Sequence, residues 1–259
     1  DPQDTVDGMS MKKIDAIIDK LTRKAYRWSP VKRTYIAKRH STKQRPLGMP
    51  GWTDKLLQEV IRLILSAYDE PQFRDCSHGF RPHRGCHTAL DTIKTWKGTR
   101  WFVEGDIKGC FDGISHKIVY KLLSEKIKDR DFLRLIEEML RAGYMEDWRY
   151  HTTYSGTPQG GIVSPLLMNI VLNELDTFIE DELIPQYTKG KKRKKNPEYK
   201  RLVDQAYRAR KAGRWKQANE LKRRYLKLPA ALSNDPGYGR LWYVRYADDF
   251  LLGLIGTKQ

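Results

Sequence analysis

The sequence has 259 residues, of which 49 are Lys or Arg and 32 are Asp or Glu, giving a net charge of +17. Its 39% apolar content allows one large domain or two small ones and excludes a wholly disordered chain. No run reaches the ~18 apolar residues of a spanning helix, Asp1-Pro2-Gln3-Asp4 opens no signal peptide, and Cys76, Cys86 and Cys110 form no Cys-x-x-Cys pair, so a membrane partner, a disulfide framework and a structural zinc site are all unexpected.

Ser10 predicts the cap of a first helix with Ile14, Ile17, Ile18 and Leu21 on one face. Residues Val31 to Ala37 read as a short strand, and Arg45-Pro46-Leu47-Gly48-Met49-Pro50 as an extended segment. Thr53 is the expected cap of a second helix with Leu56, Leu57, Val60, Ile61, Ile64 and Leu65 inside. A loop rich in Gly, Pro and Arg follows over 75–84, then a helix over 87–96 and an apolar strand over 101–107. Helices are expected over 117–127 and 132–140, and a loop over 156–161. Pro165 opens a long helix that should stop by about Ile184, before Pro185. The chain closes on two apolar runs flanking Asp248-Asp249, which predicts a β-hairpin. Strands and helices mix without regular alternation, so the expected class is α+β.

The charge is concentrated. Residues 188–227 carry 17 Lys and Arg against Glu198, Asp204 and Glu220, and the remainder of the chain is nearly neutral. The segment opens with Lys189-Gly190-Lys191-Lys192-Arg193-Lys194-Lys195, a run that repels itself and is expected to be mobile without a polyanion. Apolar residues then recur at helical spacing (Tyr199, Leu202, Ala206; Trp215, Ala218, Leu221, Tyr225), predicting two basic helices joined near Gly213 and ending by Pro229. Aromatics interleaved with cations point to a phosphate-binding surface, with Lys191, Lys192, Arg193, Lys194, Lys195, Arg208, Arg210, Lys211, Arg214, Arg223 and Arg224 as candidate nucleic-acid contacts; basic composition by itself does not separate RNA from DNA. A solvated linker or a membrane-surface helix has the same composition.

Adjacent carboxylates at the tip of an apolar hairpin repel one another unless a cation lies beside them. Asp is also common in turns for local reasons. Asp106 ends the 101–107 strand; if that strand lies beside the hairpin, Asp106 and Asp248 can share divalent cations. Hard oxygen donors of this kind suit Mg²⁺ and in-line nucleotidyl transfer. The histidines show no metal-ligand spacing.

Tyr246-Ala247-Asp248-Asp249 resembles the Tyr-x-Asp-Asp motif of reverse transcriptases. Asp106 with Phe111 is similar to their first palm motif, and Gly156-Thr157-Pro158-Gln159-Gly160-Gly161 leading to Ser164-Pro165-Leu166-Leu167-Met168-Asn169 to the palm motif between the two. Arg45-Pro46-Leu47-Gly48-Met49-Pro50 and His78-Gly79-Phe80-Arg81-Pro82 look like finger motifs of the group II intron-encoded branch. The basic insertion is also similar to that branch, although such insertions vary, and a reverse transcriptase of another bacterial branch, such as a retron or a diversity-generating element, stays open as an alternative.

The resemblance implies a right-hand architecture: fingers at 1–100 and palm at 101–259, with an antiparallel sheet, packed helices and a basic helical insertion at about 186–238. It implies RNA-directed DNA synthesis with two Mg²⁺ ions, for which Mn²⁺ can substitute, and a maturase role in splicing. The implied partners are group II intron RNA, an RNA template with a DNA primer, and deoxynucleoside triphosphates, in a bacterial cytoplasm. Residue by residue, Asp106, Asp248 and the Ile107 carbonyl would hold metal, and Asp249 would complete the catalytic triad. Phe111 would pack under the incoming sugar and exclude a 2′-hydroxyl. Lys38 and Arg45 would grip the triphosphate, Gln159 and Gly160 would approach the nucleotide, and Arg81 would brace the fingers or contact template phosphate. The sequence stops at Gln259, just past the acidic hairpin, where family members continue into a thumb. A larger parent protein is therefore expected, with dimerisation through the palm surface that normally meets the thumb. The rival reading is an RNA-binding splicing cofactor without appreciable polymerase activity.

Overall fold

The computed structural model describes residues 5, 8–37, 42, 44–157 and 160–256. Contacts divide the chain into two compact units: one comprises 1–91, 105–177 and 245–250, the other 92–104, 178–244 and 251–259. These units cut across the 1–100 and 101–259 regions, which follow motif boundaries.

The first unit is built on helices. Helix α1 (Met11–Thr22) is capped by Ser10, whose hydroxyl accepts from the Lys13 N–H. Ile17 and Leu21 pack on the core while Ile18 is exposed. Strands β1 (Val31–Ala37) and β2 (Gln44–Met49) pair antiparallel. Helix α2 (Trp52–Asp69) is capped at Gly51, two residues before the expected Thr53 cap. It buries Leu57, Ile61 and Leu65, spaced four apart, and leaves Leu56, Val60 and Ile64 exposed. The six apolar positions span a wider arc than one packed face covers.

Helix α3 (Cys86–Lys94) and strand β3 (Trp101–Asp106) follow, then a four-residue helix α4 (Cys110–Gly113) that periodicity did not reveal. Helices α5 (His116–Lys126) and α6 (Arg130–Arg141) contribute Val119, Leu123, Leu133, Ile136, Met139 and Leu140 to the core. The Asp129 carboxylate caps α6 by accepting from the Asp131 and Phe132 N–H groups at 2.9 and 3.1 Å. A hairpin of β4 (Tyr144–Glu146) and β5 (Arg149–His151) was also unforeseen. It extends the first sheet to the order β2-β1-β4-β5, with β1 and β4 parallel.

Helix α7 (Ser164–Phe178) buries Leu166, Leu167, Met168, Ile170 and Leu172 against the same core. It runs on through a π-helical turn (Ile179–Leu183) into α8 (Ile184–Tyr187), past the expected stop at Pro185. Pro185 lacks an N–H, and the widened turn before it carries the chain through.

In the second unit, helices α9 (Pro197–Lys211) and α10 (Trp215–Tyr225) form a hairpin turning at Gly213, as the sequence predicted. Leu202, Ala206, Ala209 and Ala218 are its buried face, and Tyr199 meets Tyr225 edge-on. The lysine run before it is not a free strand of charge. Lys189 and Gly239 exchange backbone hydrogen bonds, and Lys194 donates its N–H to Asp235 Oδ2 at 2.7 Å and accepts from Leu232. The returning chain supplies backbone partners, which hold the run despite its self-repulsion. Trp96 is buried and stacks on Phe102 and Trp242.

Strands β6 (Arg240–Tyr246) and β7 (Asp249–Ile255) make the terminal hairpin, in a second sheet of order β3-β7-β6. Arg100 N–H donates to Leu254 C=O at one end of the β3–β7 pair, and Ile107 N–H to Asp248 C=O at the other. Numbers rise on one strand as they fall on the next, so the two run antiparallel. The mixture of layers is α+β. Among the described residues no helix is long and apolar enough to cross a membrane.

Candidate active site

The terminal hairpin is held from below by Arg245. Its guanidinium is fully buried, 1% exposed, against Asp176 at 0%. Arg245 Nε and Nη2 donate to the two Asp176 oxygens at 2.8 and 2.6 Å. Nη2 also donates to Ser77 Oγ at 2.8 Å, and Nη1 to Asn169 Oδ1 at 3.1 Å and the Ala247 carbonyl at 2.8 Å. A buried ion pair is tolerated only when its remaining donors are satisfied, as here. The bond to Ala247 fixes the turn, because Ala247 has φ +57°, a left-handed conformation that alanine resists. The turn is thus Ala247-Asp248, one position earlier than the expected acidic turn, and Asp249 is the first residue of β7.

The loop over 76–81 is knitted to the same hairpin. Arg245 N–H donates to Cys76 C=O and receives a bond at its own carbonyl from His78 N–H. Asn169 Nδ2 donates to Gly79 C=O at 2.8 Å. Gly79 lies so close to the hairpin that a Cβ there would collide with the Ala247 backbone nitrogen. Arg81 is a brace. Its side chain is 4% exposed, with Nε on Glu70 Oε1 at 2.8 Å and Nη1 on the carbonyls of Arg74 and Ser77. These bonds are those of a brace within the fold, the first of the two roles expected of Arg81.

Above this support opens a cavity of about 680 Å³. Asp106, Asp248 and Asp249 line it, together with Arg45, Phe80, Phe111 and Gly160. The three acids reach it from two strand ends and one turn, so strand pairing alone assembles them. Burial, and then the charge of Asp248, pushes the Cys110 thiol above its ordinary range; Arg245 opposes this and Asp106 adds to it. The thiol therefore sits in the field of both carboxylates. Ile107, whose carbonyl was expected to help hold metal, is tied by its N–H to the Asp248 carbonyl at 3.2 Å. Phe111 stands on α4, entered through Gly109 at φ +62°. Gly160 has φ +105°, and a Cβ on it would lie 2.6 Å from the Gly48 carbonyl oxygen.

Among the described residues no group of three or more His, Cys, Asp or Glu forms a ready metal cage. The donors present, the Asp106 and Asp248 carboxylates on an open cavity, fit Mg²⁺, while the Ile107 carbonyl accepts from the Cys110 N–H at 3.1 Å. That ion binds through one or two carboxylates plus substrate phosphates rather than in a protein cage. Lys38 and Gln159 lie outside the described residues. Of the basic candidates, Lys191, Lys192, Lys194, Lys195, Arg208, Arg210, Lys211, Arg214, Arg223 and Arg224 are exposed in the second unit. Arg193 is half-buried over the Tyr238 ring and directs Nη2 at the Gly98 carbonyl. Sequence reasoning missed the roles of Arg245, Asp176 and Ser77. The available signal was a lone arginine between Val244 and Tyr246 in an apolar strand, and Asp176 seven residues, two helical turns, beyond Asn169.

The model of the family "Reverse transcriptase (RNA-dependent DNA polymerase)" matches residues 36–208, about two thirds of the sequence. The chain belongs to the reverse transcriptase family. It is 48% identical to the group II intron-encoded protein LtrA of Lactococcus lactis subsp. cremoris, over 99% of this chain and 44% of that protein. It is 43% identical to an uncharacterized 91 kDa protein in the cob intron of Schizosaccharomyces pombe, over 98% of this chain and 32% of the relative. It thus spans less than half the length of these relatives. Telomerase from Candida albicans shares the fold, with a TM-score of 0.50 at 13% identity, covering 94% of this chain and 40% of telomerase. Reverse transcriptases as a family use divalent metals.

Proposed function

We propose that this chain carries the polymerising site of a group II intron-encoded reverse transcriptase. The site copies RNA into DNA, and the protein binds intron RNA to aid splicing. The observation that carries the reading is the convergence of Asp106, Asp248 and Asp249 on one cavity with Arg45, Phe111 and Gly160. Asp106, Asp248 and the Ile107 carbonyl are the proposed holders of two Mg²⁺ ions, with Mn²⁺ as a substitute, and Asp249 completes the triad. Ions held there would supply charge to activate the primer 3′-hydroxyl and to stabilise the leaving pyrophosphate. Arg45 grips the triphosphate through its planar fork, with Lys38 beside it in the sequence reading. Phe111 excludes the 2′-hydroxyl, so deoxynucleoside triphosphates are the substrates. Gly160, and in the sequence reading Gln159, admits the nucleotide close to the backbone.

The exposed cations of α9 and α10 and of Lys191 to Lys195 are the proposed intron RNA surface. They also support the second reading, a splicing cofactor that binds RNA without appreciable synthesis. A bacterial cytoplasmic setting fits the three free cysteines. Self-association of the chain is tested by light scattering across a concentration series; a constant monomer mass rules it out.

Primer extension on an RNA template with Mg²⁺, in the full-length natural protein, separates the two readings. Extension that is lost in Asp248→Ala, with RNA affinity kept, supports the polymerase. Absence of extension by the unaltered protein, with intron RNA still bound, supports the cofactor.

A further inference from the structure

Phe80 is an inverted residue. Its neighbours Ser77, His78, Gly79 and Arg81 are buried, polar and charged groups among them, while its own phenyl ring is 58% exposed. Its backbone has φ +56°. A bulky side chain in the left-handed region is a genuine outlier, and such strain persists only where the surroundings impose it. Here they do: Asn169 holds the Gly79 carbonyl, Arg245 holds the His78 N–H, and Arg81 is locked on Glu70, Arg74 and Ser77. The fastened loop aims the ring into the cavity lined by Asp106 and Asp248. There it meets Phe111 edge-to-face, with ring centroids 6.3 Å apart and an interplanar angle of 77°.

Burial does not explain this placement, because the ring stays largely in solvent and the strained backbone gains nothing from it. A substrate-facing purpose does. Resting on the polymerase reading above, we infer that Phe80 is a specificity-determining residue that acts through Phe111. It fixes the tilt of the Phe111 ring and so makes that ring a rigid wall against a ribose 2′-hydroxyl. Rigidity is the difficulty of any such gate. An apolar pocket rejects an analogue that merely adds a hydroxyl by only about 10², and a ring free to swing away would reject it less. Phe111 stands on a helix of only four residues, and an edge-on partner stops the ring from turning.

The test measures kcat/KM for dGTP and GTP in primer extension by the full-length natural protein, unaltered and as Phe80→Gly, Phe80→Tyr, Phe111→Ala and Phe80→Gly/Phe111→Ala. Glycine removes the ring and also relieves the left-handed backbone, so the melting midpoint should not fall. Phe80→Gly should lower the preference for dGTP about tenfold, chiefly through a lower KM for GTP. Phe80→Tyr keeps the ring edge and should keep the preference. In the Phe111→Ala background, Phe80→Gly should change nothing further, since its effect passes through that ring. An unchanged preference in Phe80→Gly, or a loss that adds in full to that of Phe111→Ala, overturns the inference while leaving the polymerase reading intact. No extension by the unaltered protein overturns both.

Discussion

Arg245 shows how one side chain can organise a site it does not enter. Its donors join strand β6, helix α7 and the 76–81 loop, and one of them fixes the turn that presents Asp248. Arg245→Met leaves the fully buried Asp176 carboxylate without its partner. Loss of one member of a buried pair costs about 3–5 kcal/mol. Equilibrium denaturation should record a loss in that range; a change under 1 kcal/mol would show that the pair is not holding the fold. Nearby, burial first, then Arg84 and Arg81, holds the His78 imidazole below its ordinary range, with Asp75 opposing. The folded state therefore keeps His78 neutral where the unfolded state begins to protonate. Stability is unaffected above the unfolded pKa and falls as pH drops below about 6.5. His78→Gln should flatten the stability profile between pH 7 and pH 5, and an unchanged slope would assign the acid sensitivity elsewhere.

At the scale of elements, the helical hairpin of α9 and α10 joins stability to its charge. Small buried residues (Ala206, Ala209, Ala218) let the two helices approach closely and leave their long cations in solvent. The lysine run leading into the hairpin is pinned at its backbone by Asp235. That carboxyl is held below its ordinary range, first by the Lys194 N–H and then by that of Gly237. Its backbone thus has protein partners, while the charges of Lys191, Lys192, Lys194 and Lys195 remain outward. RNA affinity should fall steeply with salt, each phosphate contact adding about 0.7 to the log–log slope for single strands and about 0.9 for duplex. Replacing Lys191, Lys192, Lys194 and Lys195 by Gln should flatten that slope measurably. If the slope is unchanged, the run does not touch RNA and the helices carry the binding.

At the scale of the whole molecule, the sequence by itself determined the types of the longer elements, the α+β class and the basic hairpin, and it singled out the candidate acids. Those follow from local periodicity, capping residues and charge, which short stretches of chain express alone. β1 appears at the predicted residues, and the basic helices turn at the predicted glycine. The expected ends failed where local rules met tertiary context. The long helix passes Pro185 by widening a turn, and α2 leaves half of its apolar arc exposed. The tertiary structure alone decided that Asp106 lies beside Asp248, because strand order is set by pairing partners far apart in the chain. It alone decided that Arg81 is a buried brace, since burial is a property of neighbours and not of residue type. The same holds for Arg245 and Phe80. Their sequence contexts are an apolar strand and a polar loop, and only the packed fold turns the arginine inward and the phenyl ring out.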